Sequence, residues 1–167
     1  MIEKIFRKYL EIKSINQLNK VIKPAGNHSL ELVDPIDFQL NKFLYKQVGK
    51  KYRWIDRLEW SDKEWIDYLS NKNLYTYILK SNLNIAGFFE LKFYQKKKEV
   101  EIPYFGILEE YFGKKLGGYL LSEAISLSFG IGAERVWLQT SSLDNKNAIK
   151  NYISRGMKIF KSETLNI

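Results

Sequence analysis

Apolar and polar positions change period from one segment of this chain to the next, and each change marks an element. Tyr9–Lys13 alternates apolar and charged residues, as a half-buried strand does. The stretch Pro24-Ala-Gly-Asn-His-Ser carries turn chemistry and reads as a loop. From Pro35 to Val48, residues Phe38, Leu40, Phe43, Leu44 and Val48 gather mostly on one side at helical spacing. Proline suits the first turn of that helix, and Asp34 is the expected cap. Ser61-Asp-Lys-Glu64 matches a capping box ahead of Trp65, Ile66 and Leu69 and starts a second helix. Leu74–Lys80 and Ile85–Tyr94 are β-rich runs split by Ser-Asn-Leu-Asn, which predicts a hairpin. There follow a strand over Glu99–Ile107, a helix over Leu116–Phe129, a strand over Arg135–Thr140, a helix over Asn145–Ser154 and a short strand from Met157. A β-rich beginning followed by β-α-β-α alternation predicts a mixed α+β domain around a central sheet.

Composition narrows the function. A chain of 167 residues with 45% hydrophobic and 15% aromatic content is expected to form one domain with a real core. With no cysteine there is neither a disulfide framework nor a thiol nucleophile. The single histidine, His28, cannot by itself build a zinc site or a Ser-His-Asp triad, so tyrosine and carboxylates remain for proton transfer and no metal is expected. The net charge of +8 is mostly lysine, which suits an anionic cofactor, nucleic acid or membrane, and also arises from coding bias. The densest run, Gln95-Lys-Lys-Lys-Glu99, falls between two strands as a charged hairpin tip. It lacks the interleaved aromatics that single-strand binders use, so no specific nucleic acid is expected. No apolar run approaches the ~20 residues of a bilayer span. The first ten residues mix charged and apolar side chains unlike a signal peptide, so the expectation is a cytoplasmic protein without membrane contact.

Chemistry concentrates in the second half. The turn Glu110-Tyr-Phe-Gly-Lys-Lys-Leu-Gly-Gly-Tyr-Leu-Leu121 follows a strand and opens a helix. Glycines at a helix mouth leave backbone N–H groups uncovered at the positive end of the helix dipole, which makes a phosphate socket. An ordinary strand-to-helix turn with solvated lysines would read the same way. Further on, Asn145, Ala148, Tyr152 and Gly156 stand at the intervals Asn-x-x-Ala-x-x-x-Tyr-x-x-x-Gly, with Met157 next. This segment resembles the closing motif of the GNAT superfamily of acetyl-CoA-dependent N-acetyltransferases, where phenylalanine is usual at the last place. In that family a pyrophosphate loop of the form Gln/Arg-x-x-Gly-x-Gly/Ala lies one strand upstream. Here the loop departs from the pattern: Phe112 takes the Gln/Arg place, Lys115 the first glycine and Gly117 the second. The resemblance spans roughly residues 84–161, about half of the chain.

The resemblance implies a central, mostly antiparallel twisted sheet flanked by helices, in one domain over residues 1–167. Residues 1–83 would form the acceptor side and 84–161 the acetyl-CoA-binding core. It implies acetyl-CoA as co-substrate, with an amine of a small molecule or peptide attacking directly; a homodimer is left open. Ile107, Phe112, Gly113, Lys114, Lys115, Gly117 and Gly118 would hold the cofactor. Asn145 would contact it or cap the last helix, with Asp144 as rival cap. Lys115 would need a helical φ where the family has glycine. Tyr152 would protonate the leaving thiolate, and Glu101 would be the base, with Glu90, Glu99 and water as rivals. In the strip Tyr52–Trp60, Trp54 and Arg57, together with Glu90, would line the acceptor pocket. Otherwise Trp54 and Trp60 are core anchors and the arginines pair with Asp56 or Asp62. A CoA-binding module without turnover and a basic nucleic-acid-binding domain are the alternatives.

Overall fold

A computed structural model describes residues 1–166. The elements run β1 (Lys4–Ile12), β2 (His28–Leu32), α1 (Phe38–Gly49), α2 (Asp62–Leu69), β3 (Leu74–Ser81), β4 (Asn84–Tyr94), β5 (Glu99–Glu101), β6 (Phe105–Ile107), α3 (Leu116–Gly130), β7 (Arg135–Ser141), α4 (Lys146–Ser154) and β8 (Lys158–Asn166). All eight strands join one sheet in the order β2-β3-β4-β5-β7-β1-β8, with β6 on β4. Among the described residues every junction is antiparallel except β5–β7, which is parallel. The expected mixed class and mostly antiparallel sheet are therefore what the chain forms.

Period-two alternation sends alternate β4 residues to opposite faces, and each face finds its own helices. Phe89 and Leu91, with Leu79, Val136 and Leu138 of neighbouring strands, bury against Leu120, Leu121, Ala124 and Ile125 of α3. Phe88, with Ile78, packs on Leu44 and Val48 of α1. Tyr45, Trp65 and Leu69 tie α1 to α2. The Ser61 hydroxyl accepts from the Glu64 amide at 3.1 Å, so the capping box forms as predicted. The β3–β4 hairpin turns through Asn82 and Leu83, both at positive φ (49° and 70°), the geometry of a tight two-residue turn.

Four expectations change. The first helix starts at Phe38 and is capped by Asp37, whose carboxylate accepts from the Leu40 amide at 3.0 Å; Asp34 lies too far upstream to reach a first-turn amide. His28 opens the edge strand β2 instead of sitting in a loop, because a short, mostly exposed edge strand carries little alternation to read. The final strand is long: β8 pairs with β1 from Glu11↔Lys158 to Lys4↔Asn166. Most consequential, Glu99–Ile107 is not one strand. It breaks at Ile102-Pro103-Tyr104, since proline has no amide to continue the ladder.

Candidate active site

That break opens the sheet. Over Glu99–Glu101, β5 bridges β4 and β7, and the Ile102 amide still donates to the Trp137 carbonyl at 3.0 Å. Past Pro103 the chain stays with β4 as β6, while β7 continues along β1. The Glu90 amide donates to Tyr104 O at 2.9 Å and the Leu108 amide to Ala86 O at 2.8 Å. Ladder alternation therefore leaves the N–H and C=O of Phe105 and Ile107 on the free edge, toward the wedge between β6 and β7.

The N-terminus of α3 meets the same wedge. Gly113 (φ 77°) and Lys115 (φ 62°) curl the chain into the helix through left-handed backbone. No side chain caps the helix and no acid lies in its first turn, so its positive end stays open to an anion. Lys115 thus takes a left-handed φ, not the helical one expected of it, at a cost of about 1 kcal/mol for a side chain there. A Cβ on Gly113 would meet nothing within 4 Å. The Gly117 carbonyl is held by Asn151 Nδ2 at 3.0 Å, which fixes α4 against the start of α3.

These elements enclose a cavity of about 770 Å³. Ile107, Phe112, Gly113, Lys115, Gly117, Gly118, Asn145, Tyr152 and Trp54 all line it. Lys114 does not; its ammonium sits 5.2 Å from the centre of the Tyr111 ring. Tyr152 is buried, its ring edge-on to Phe105 at 6.3 Å, and among the described residues its hydroxyl has no hydrogen-bond partner. Burial, helped by the charge of Asp144, pushes the phenol above its ordinary pKa. Asn145 caps α4 by accepting from the Asn147 amide at 2.9 Å, and its Nδ2 donates to the Tyr52 hydroxyl at 3.1 Å. Of the two roles expected of Asn145, the cap is formed, and the residue also lines the cavity.

Asp144 is the residue that sequence reasoning undervalued. Its carboxylate accepts from Thr140 Oγ1 at 2.7 Å, the Ser141 amide at 2.9 Å and Trp54 Nε1 at 3.3 Å. It thereby joins the end of β7 to the loop after α1. An acid just past a strand end was the available signal; its bond to Trp54 is a tertiary fact.

Besides Lys114, three expected site residues stand away from the cavity. Arg57 and Glu90 form a buried bidentate pair (2.9 and 3.1 Å), and the Tyr68 hydroxyl also donates to Glu90 at 2.7 Å. The guanidinium is boxed by Tyr45, Trp60, Trp65, Tyr68 and Tyr104, with ring centres 4.2–5.8 Å away. Its fork is spent on Glu90, not on Asp56 or Asp62 and not on an acceptor. Glu101 accepts from the Tyr94 hydroxyl at 3.1 Å, outside the cavity lining. Burial pushes Glu101 above the usual carboxylate value despite that bond and nearby Lys92. Its rival Glu99 is paired with Arg135 at 3.2 Å.

Residues 41–157, more than half of the chain, match the family model described as "Acetyltransferase (GNAT) family". The chain belongs to the GNAT family of acetyltransferases. Solved structures agree on the GNAT fold. A GCN5-related N-acetyltransferase from Sphaerobacter thermophilus superposes with a TM-score of 0.76 at 13% identity, covering 99% of this chain and 52% of the other. One from Kribbella flavida gives 0.66 at 15% identity, covering 99% and 58%. An aminoglycoside acetyltransferase from an uncultured soil metagenomic sample gives 0.63 at 16%, covering 77% and 86%. This chain therefore spans only about half the length of the first two. No curated protein matches the sequence. Among the described residues no cluster of His, Cys, Asp or Glu is arranged for a metal ion, and no helix is long and apolar enough to cross a membrane.

Proposed function

We propose that this GNAT protein transfers the acetyl group of acetyl-CoA to the amine of a small molecule or peptide by direct attack. The observation that carries the reading is the wedge itself: a free β6 edge, an uncapped α3 N-terminus and the Tyr152 hydroxyl converge on one cavity. Acetyl-CoA supplies a thioester whose carbonyl carbon bonds to the amine nitrogen as the carbon–sulfur bond breaks, while one proton passes from nitrogen to sulfur. The donor set fits that molecule. The Phe105 and Ile107 backbone matches amide groups, and the first amides of α3, with Gly113, Lys115, Gly117 and Gly118, match a pyrophosphate. Open space at Gly113 leaves room for close approach. Asn145 holds the cavity wall from the other side.

Tyr152, with its pKa raised by burial, stays protonated at neutral pH and is the proton donor to the sulfur. Glu101, made more basic by burial, is the base that receives the amine proton through solvent, since it lies behind the lining. If so, Glu101→Gln removes the acidic limb of the kcat/KM–pH profile, a limb that lies above the usual carboxylate range; an unmoved limb excludes Glu101.

The chain has no cysteine, so a thiol reagent reads released CoA without background from the protein. Incubated with acetyl-CoA and a panel of amines, the protein should release CoA only where an amine is present. Binding of acetyl-CoA without release on any amine would make it a CoA-binding module.

A further inference from the structure

The cavity is also walled by Ile5 and Arg7 of β1, Gln139 and Ser141 of β7, Leu165 of β8 and the loop Tyr52–Asp56. Its charged groups differ in how they are occupied. Asp144 already accepts three hydrogen bonds. Arg53 donates to Glu3 at 2.7 Å. Arg7 is different: its nearest carboxylate, Glu163, lies 3.9 Å away. Glu163 is held more closely by Lys161 at 2.9 Å and by the Tyr9 hydroxyl at 3.1 Å. Among the described residues the Arg7 guanidinium makes no hydrogen bond, although its side chain is only 37% exposed.

Strand alternation decides where that guanidinium points. Arg7 pairs with Ser141, and Leu10 with Leu138. Leu10 and Leu138 bury against α3, so Ser141, and Arg7 beside it, belong to the opposite face, where the loop after α1 closes the cavity. A planar fork of donors that makes no hydrogen bond and whose one ion pair, to Glu163, is long at 3.9 Å matches a further carboxylate, which it can grip through two parallel bonds.

We infer that the acceptor is an amine that also carries a carboxylate, with Arg7 gripping the carboxylate while the amine reaches toward Tyr152. The inference rests on the acetyltransferase reading for its amine and on Arg7 alone for its anion. It sets this chain apart from an acceptor that is purely polycationic, which Arg7 would repel.

The test compares amino acids and dipeptides with their own carboxamides, each rate taken per unprotonated amine because removing the carboxylate also lowers the amine pKa. With acetyl-CoA present, kcat/KM for the free carboxylates should exceed that of the carboxamides at least tenfold. Arg7→Gln should level the two series. Arg7→Lys, which keeps the charge and loses the fork, should recover only part of the difference. The melting-temperature shift produced by acetyl-CoA should be the same in all three proteins, which reports an intact fold and cofactor site. A parallel calorimetric titration with N-acetyl amino acids and N-acetyl amino-acid amides reads carboxylate selectivity without turnover. Selective binding lost in Arg7→Gln supports the site even where no CoA is released, a result that sinks only the enzyme reading. Equal binding of both series by the wild type, or equal loss of both in Arg7→Gln, overturns the proposal.

Discussion

Tyr152 and Glu90 show how two residues of a site region can do opposite work. The Tyr152 hydroxyl opens on the cavity without a protein partner, while its ring packs on Phe105. Removing the oxygen in Tyr152→Phe keeps the ring, so acetyl-CoA affinity should hardly change. Loss of the proton donor should lower kcat ~10²–10⁴-fold. The effect shrinks where amine attack limits the rate, so a good and a poor acceptor should both be measured; wild-type kcat on both would make Tyr152 a packing residue. Glu90 is spent on structure. It neutralises Arg57 inside a box of rings, and Glu90→Ala leaves a buried guanidinium without a counter-ion. Breaking such a pair costs about 3–5 kcal/mol, read as a fall in unfolding free energy by denaturant titration. A loss below about 1 kcal/mol would mean that the rings alone hold Arg57.

Among the elements, the start of α3 and the β5–β6 break set the geometry of the wedge. A Cβ at Gly117 would come no nearer than 3.6 Å to any neighbour, namely Asn151 Nδ2, so the fold has room for a side chain there. Gly117 also lines the cavity at the open start of α3, where the proposed pyrophosphate would lie. Gly117→Val should therefore leave the melting temperature nearly unchanged and weaken acetyl-CoA at least tenfold, about 1.4 kcal/mol by isothermal titration. Equal affinity would show that the phosphates lie elsewhere. Much of this was legible in the chain: the glycine-bearing turn, the helix that follows and the Asn-x-x-Ala…Tyr spacing all lie in single segments. The break at Pro103 is legible too, since a proline inside a run of β-formers has no amide to give to the ladder.

For the molecule as a whole, the walls of the cavity come from β1, β6, β7, β8, α3, α4 and the loop after α1, so a bound ligand ties distant segments together. Acetyl-CoA at a hundredfold excess over its Kd should stabilise the fold by about 2.7 kcal/mol, visible as a rise of about 5–11 °C in melting temperature. AMP, which lacks the pantetheine that would pair with β6, should do much less; no shift at millimolar acetyl-CoA would remove the cofactor from this site. Periodicity and capping were enough to determine most elements and the mixed class, because each such signal is written within a dozen residues. The turn and the closing motif were enough to point to the family. Only the tertiary structure decided which groups face the cavity. Arg57 and Glu90 are 33 residues apart and cancel one another, and Trp54 and Asp144 are 90 apart and join. Glu101 shares a strand run with Phe105 and Ile107 yet stands behind the lining, and Arg7 enters it from the other end of the chain. Side-chain type and spacing set what a residue can do; whether its charge is already spent depends on partners brought together by folding, which no local pattern records.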